Sequence, residues 1–232
     1  MILVIADDLS GAAEIAAVGW RFGLTAQVQT QFNPDVKADL VVVDINTRSM
    51  SDHTAYDICE AVANRIAHTA VQWCYKKVDS VMRGHICSEL RAMMKVLKKP
   101  RVILAPANPS KGRTISHGRY LIDNQPLDET DFAHDPEHPV ASCYVADLLN
   151  SSEGCPVHIV EHDAYNGCEK GIIVAEAENR KDLSLWAECV DDDTLAAGGS
   201  DFFAAMLKRR LSSNMAGPDQ DIVSVHGKKL FV

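Results

Sequence analysis

The sequence predicts an α/β fold of three layers, a mostly parallel, Rossmann-like sheet with helices on both faces. Three observations carry this expectation. Short β-rich runs alternate with helical stretches along most of the chain, the pattern of a parallel sheet. Ile2–Ala6 (Ile-Leu-Val-Ile-Ala) and Leu40–Asp44 (Leu-Val-Val-Val-Asp) are continuous apolar runs, as strands covered on both faces require. Polar residues collect just after the strand candidates, where ligands bind in open parallel sheets.

The elements follow in order. Ile2–Ala6 is a strand, and residues 10–22 form a helix with Ile15, Val18 and Phe22 at helical spacing and Gly23 as a stop. Ala26–Gln29 is a weak strand and Leu40–Asp44 a strong one. A helix over 54–68, a strand over 72–78, a helix over 85–97 and a strand over 102–105 come next. A Pro/Gly/Asn-rich region, 106–139, interrupts the rhythm. Strands at Val157–Val160, 172–175 and 194–197 alternate with helices over 183–190 and 200–211. Residues 222–225 and 230–232 also have strand character, and no internal repeat or low-complexity segment is visible.

Composition bounds the function. With 232 residues, 47% of them hydrophobic, the chain is one large domain or two small ones with room for a sizeable core. Twenty-three basic against 32 acidic residues leave a net charge of -9, which argues against nucleic acid as the main partner and excludes collagen-like, disordered and disulfide-scaffold classes. The seven cysteines form no C-x-x-C pair, so reduced, mostly buried thiols in an intracellular chain are expected. The N-terminus has no basic region, and its apolar run is far too short for a membrane span. Neither a membrane nor an exported form is expected; the cytoplasm is.

Candidate chemistry sits at the strand ends. Asp7-Asp8-Leu9-Ser10-Gly11-Ala12 opens a helix, and one Asp or Ser would serve as its cap. Two adjacent carboxylates repel unless a cation, a proton or a substrate hydroxyl relieves them. Asp7 and Asp8 are therefore read as a general base and an acceptor orienting a substrate hydroxyl. Asn46-Thr47-Arg48-Ser49 offers a guanidinium suited to a carboxylate or phosphate, or equally a turn with a solvated arginine. Lys77, Asp79, Ser80 and Arg83 form either a surface ion-pair group or, with Gly84 and a following helix start, an anion site. Asn108 follows the strand at 102–105, and Gly112-Arg113-Thr114 is an anion-holding loop or a plain turn.

Other clusters are weaker. The segment 134–139 (His-Asp-Pro-Glu-His-Pro) offers possible ligands, but its prolines favour a rigid turn, and no metal site is assigned. Asp191-Asp192-Asp193 suits a solvated loop. Ala197-Gly198-Gly199-Ser200 could bind an anion through backbone amides or allow tight packing. Neither G-x-x-x-x-G-K-[ST] nor G-x-G-x-x-G occurs.

Taken in order, these pieces resemble the four-carbon acid sugar kinase family, whose members phosphorylate threonate, erythronate or oxo-tetronates. Ala6-Asp7-Asp8-Leu9-Ser10-Gly11-Ala12, Asn46-Thr47-Arg48, Lys77-Val78-Asp79-Ser80-Val81-Met82-Arg83-Gly84-His85 and Pro106-Ala107-Asn108-Pro109 with Gly112-Arg113 are similar to its motifs. Gly118, Thr130-Asp131-Phe132 and Asp135-Pro136 continue the match. His85 stands where the family has Asn, and Asn108 where it has an aromatic. The resemblance implies a sugar-acid-binding N-terminal domain over 1–232, with a nucleotide-binding domain that would start about residue 220. It implies Asp7 and Asp8 as catalytic, and Arg48, Lys77, Asp79, Ser80, Arg83, Gly84, Asn108, Gly112 and Arg113 as substrate-binding. ATP and Mg would enter only with the nucleotide-binding domain, supplied in cis or in trans, and a homo-oligomer is compatible. Two other readings stay open: a non-catalytic sugar-acid sensor, and a receiver-like domain accepting phosphate on Asp44.

Overall fold

The computed structural model describes residues 1–149 and 155–214. The strand readings at 222–225 and 230–232, and the domain boundary near 220, lie outside the described residues. In chain order the first elements are β1 (Ile2–Ala6), α1 (Leu9–Arg21), β2 (Ala26–Gln29), β3 (Leu40–Asp44), α2 (Asp52–Ala67) and β4 (Trp73–Lys77). Then come α3 (Ile86–Leu97), β5 (Arg101–Ala105), β6 (Arg113–Ser116), β7 (Arg119–Ile122) and β8 (Gln125–Pro126). The rest are α4 (Val145–Leu149), β9 (Val157–Val160), β10 (Gly171–Ala175), α5 (Arg180–Glu188), β11 (Thr194–Gly198) and α6 (Ser200–Asn214).

Eight strands form one parallel sheet in the order β2-β3-β1-β4-β11-β5-β10-β9. The expected α/β class is therefore the observed one. The steps β1–α1–β2 and β10–α5–β11 run one way along the sheet; β3–α2–β4 and β4–α3–β5 run the other. Right-handed crossovers place these helix pairs on opposite faces. Accordingly α2 packs on α3, while α6 packs between α1 and α5 on the other side. Strand β1 lies between β3 and β4, whose helices leave to the face opposite α1. That reversal opens a crevice at the carboxyl end of β1.

Helix boundaries shift where polar caps precede the apolar pattern. Ser51 caps α2, its Oγ accepting from Thr54 N at 3.2 Å, so the helix starts two residues before the expected 54. Asn179 and Asp182 make a reciprocal capping box, which brings the start of α5 to Arg180 instead of 183. The 106–139 region contains an antiparallel sheet β6-β7-β8. Two-residue turns with positive φ at His117-Gly118 and Asp123-Asn124 close its hairpins. All seven cysteines are free, but only Cys59, Cys87 and Cys143 are buried. Burial pushes the Cys59 thiol up to about 12 and those of Cys74 and Cys87 to about 11. No helix among the described residues is long and apolar enough to cross a membrane.

The core is apolar and continuous, with Tyr75, Phe202, Phe203 and Trp186 fully buried. Tyr75 donates its hydroxyl to Gly199 O at 2.8 Å, which ties β4 to the β11–α6 junction. Gly198 sits there at φ +154, and a Cβ would lie 2.1 Å from Ala105 O and 3.1 Å from the Tyr75 hydroxyl. The 197–200 glycines thus serve close packing of β11 on β5. Gly198→Ala should cost about 3 kcal/mol, read as a lower urea midpoint at unchanged slope.

Candidate active site

Strand register brings the site together. Ala6 of β1 pairs with Asp44 of β3 and Lys77 of β4; Gly198 of β11 pairs with Lys77 and with Ala105 of β5. Five strands therefore end at one level, and the residues after them share the crevice. The ladder continues one step, with Ile45 N donating to Ala6 O and Thr47 N to Asp7 O, both at 3.0 Å. That step carries Arg48 over β1.

Arg48 bridges the acidic pair. Its Nε donates to Asp7 Oδ2 and its Nη1 to Asp8 Oδ2, each at 2.8 Å, and Nη2 lies 3.5 Å from Asp79 Oδ1. The Arg48 guanidinium is therefore the counter-ion of the carboxylates that follow β1. Burial opposes its charge, but Asp7, Asp79 and Asp8 hold its pKa above the usual value. Asp8 also caps α1, accepting from Gly11 N at 2.8 Å. Asp7 is 3% exposed, and its second oxygen, Oδ1, is buried without a hydrogen-bond partner. A buried acceptor left bare in this way is costly.

The turn after β4 is equally charged and equally buried. Asp79, 5% exposed, accepts from Val81 N, Arg83 N, Arg83 Nε and Arg83 Nη2 at 2.9–3.2 Å. Burial alone would raise Asp79; Arg83 and Arg48 hold it down at about 2. Arg83 also donates from Nη1 to Asp135 Oδ2 at 2.8 Å, and its own pKa is raised by those pairs. This group is not a solvated surface network. Asp135 accepts from Glu137 N and His138 N through Oδ1, so 134–139 forms the turn that its prolines imply. Gly84 packs with Arg48 Cγ and Asp7 Oδ2 each 3.6 Å from where a Cβ would stand.

Beneath this layer lies an ion pair that the sequence reading missed. Lys76 Nζ meets Glu89 Oε2 at 2.8 Å with side-chain exposures of 0% and 2%, and Glu89 Oε1 accepts from Thr47 Oγ1. Burial lowers the Lys76 pKa, but the Glu89 and Asp7 charges more than offset it. The loop that carries Arg48 is thereby tied to β4 and α3. Lys77 donates to Val78 O at 2.7 Å and faces Glu14 Oε2 at 3.5 Å. Burial works against the Glu14 charge, but Lys111, Lys77 and Ser200 bring its pKa below the usual range. Asp44 is raised by burial, with Asp8 and Asp7 adding to the shift.

The remaining candidates follow β5. Asn108 has no exposed surface; its Oδ1 accepts from Asp201 N at 3.0 Å and its Nδ2 donates to Ser200 Oγ at 3.1 Å. Its amide is thus spent on joining the post-β5 turn to α6. Gly112 takes φ +67 and packs against Asp123, a left-handed backbone position that favours glycine. Arg113 donates to Ser80 Oγ, while Tyr120 donates to Ser80 O. An open cavity of 400 Å³ adjoins Arg48, lined also by Ser49, Met50, Gly84, His85, Glu137 and His138. A larger cavity, 870 Å³, lies at the other end of the sheet between α5 and α6, away from this chemistry. Among the described residues no group of three or more His, Cys, Asp or Glu side chains is arranged to hold a metal ion.

A doubly covered parallel sheet with carboxylates, lysines and arginines at one switch point defines an α/β protein whose candidate site lies at the strand ends. The family profile described as sugar-binding N-terminal domain matches residues 2–206, and the chain belongs to that family. It is 30% identical over 202 residues to the D-threonate kinase of Salmonella typhimurium, covering 81% of this chain and 48% of the relative. It is 26% identical over 206 residues to the D-erythronate kinase of Heliobacterium modesticaldum, covering 80% and 47%. The chain thus spans about half the length of the curated relatives it matches. A Bordetella bronchiseptica protein, solved as a domain-swapped dimer with bound citrate, superposes with a TM-score of 0.79 at 24% identity, covering 94% of this chain and 59% of that one.

Two predictions follow from the buried charges. Lys76→Met alone strands Glu89 and should cost about 3–5 kcal/mol, while Lys76→Met with Glu89→Leu recovers most of it; chemical denaturation of both variants checks this. Asp79 has a lower pKa folded than unfolded. Its contribution is present above the unfolded value and is lost as pH falls toward about 2. It amounts to about 2 kcal/mol. Asp79→Asn should flatten stability between roughly pH 4 and pH 2, read from denaturation midpoints across that window.

Proposed function

We propose that this chain is the sugar-acid-binding half of a kinase that phosphorylates a four-carbon sugar acid such as threonate, erythronate or a 3-oxo-tetronate. The observation that carries the reading is the convergence of Asp7, Asp8 and Asp79 on Arg48 at the topological switch point. Asp7, once turned toward the crevice, would orient a substrate hydroxyl and take its proton as the oxygen reacts. Asp8, fixed by Gly11 N and Arg48, would accept from a neighbouring hydroxyl. The names of the relatives support the same substrate class.

Two helix N-termini of this edge already hold acids of the chain itself. The α1 and α6 N-termini open at this edge, but Asp8 caps one and Asp201, held by Ser110 N at 2.7 Å, stands in the first turn of the other. Their charge opposes phosphate. ATP and Mg are accordingly assigned to a nucleotide-binding half, in cis or in trans. The receiver-like alternative needs an open Asp44, but that side chain is 7% exposed and accepts from Asn46 N at 2.9 Å. A non-catalytic sensor would share the binding chemistry and differ in turnover.

Calorimetry of this chain with D-threonate, D-erythronate and a 3-oxo-tetronate should show binding of at least one. Asp7→Asn should abolish phosphorylation once a nucleotide-binding half is supplied, with the fold intact by circular dichroism. Absence of binding across the panel would sink the proposal; full turnover by Asp7→Asn would remove Asp7 from its role.

A further inference from the structure

The basic side chains at this edge differ in one respect. Arg48, Lys76, Lys77, Arg83 and Lys111 each meet a carboxylate of the chain itself. Arg113 has no carboxylate within 4 Å among the described residues. Its guanidinium donates to the neutral Ser80 Oγ and lies over the Phe132 ring at 5.7 Å. The Arg83 guanidinium lies over the same ring at 5.6 Å, with its charge already taken by Asp79 and Asp135. Two cations thus share one phenyl ring, and only one is neutralised.

The position is also rigid. Arg113 N donates to Asn108 O at 3.2 Å, and Asn108 N donates to Arg113 O at 2.8 Å. Ser80 is held through its carbonyl by the Tyr120 hydroxyl. A half-buried arginine fixed by its backbone and a hydroxyl, without a counter-charge, is prepared for an incoming anion. An anion at Arg48 would instead displace Asp7 and Asp8 from an ion pair that they already form.

We infer that Arg113 receives the carboxylate of the substrate and so determines that an acid, rather than a neutral polyol, is bound. The inference rests on the proposed sugar-acid reading and gives the bound molecule a direction. Its carboxylate end meets Arg113 and Ser80 beside Phe132, and its hydroxyls run along Asp79 and Arg48 toward Asp7.

The test is calorimetry with D-threonate and with threitol, which keeps the four-carbon hydroxyl skeleton and lacks the carboxylate. The wild-type chain should prefer D-threonate by about tenfold or more, the worth of a charge-assisted pair. Arg113→Met should bring D-threonate down to the threitol level while leaving threitol unchanged. Arg113→Lys, a point charge without the planar fork, should keep part of the preference, and circular dichroism melts check that each variant folds. A preference retained in full by Arg113→Met, or an equal loss for both ligands, would overturn the assignment while the sugar-acid reading stands. A wild-type chain that binds neither ligand would remove both.

Discussion

The structure turns on one constraint: β1, β3 and β4 end at the same level, and each ends in charge. Parallel register sets Ala6 beside Asp44 and Lys77, so Asp7, Asp8 and Asp79 converge in a crevice that excludes most water. Carboxylates this close cannot all stay ionised without nearby cations. Arg48 supplies the first, reaching Asp7, Asp8 and Asp79 from the loop after β3. Arg83 supplies the second, paired with Asp79 from the side, and below them Lys76 pairs with Glu89. These pairs join the loops that follow β1, β3 and β4.

Such pairing is an expensive way to stabilise a fold. Desolvating each ion costs several kcal/mol, and apolar replacements of buried pairs are often as stable. What the pairs secure is position. Thr47 is held at both its amide and its hydroxyl, by Asp7 O and by Glu89, so the next residue, Arg48, has little freedom. Asp7 uses one oxygen on Arg48 and keeps the other bare.

Much of the sheet was legible in the sequence because buried parallel strands write themselves as apolar runs. The ends of β1, β2 and β3 coincide with the expected ones, and β4 differs by one residue at each end. Helix starts were less legible, since apolar periodicity begins only after the polar first turn; Ser51 and Asn179 set α2 and α5 earlier. The small sheet was hidden by length, with strands of four, four and two residues too short to show alternation. Its His117-Gly118 and Asp123-Asn124 turns were the available signal. In the site, the strand-end position of Asp7, Asp8, Arg48, Asp79 and Arg83 could be read, but their partners could not. Arg48 lies 40 and 41 residues from the acids that it joins, and no local pattern encodes that. Lys76 ran against the rule that lysines stay exposed; two adjacent lysines closing a central strand were the hint.

The same charge accounting separates two roles that one residue type can play. An arginine beside an acidic pair, like Arg48, neutralises its own chain, and its burial among Asp7, Asp8 and Asp79 leaves no charge over for a ligand. An arginine beside a hydroxyl and a phenyl ring, like Arg113, keeps its charge available. In a chain of net charge -9, the long-range field repels an acid, so recognition of one has to come from local, uncompensated cations. The charge inventory of the crevice, rather than the number of basic residues lining it, separates a cation spent within the chain from one that is not.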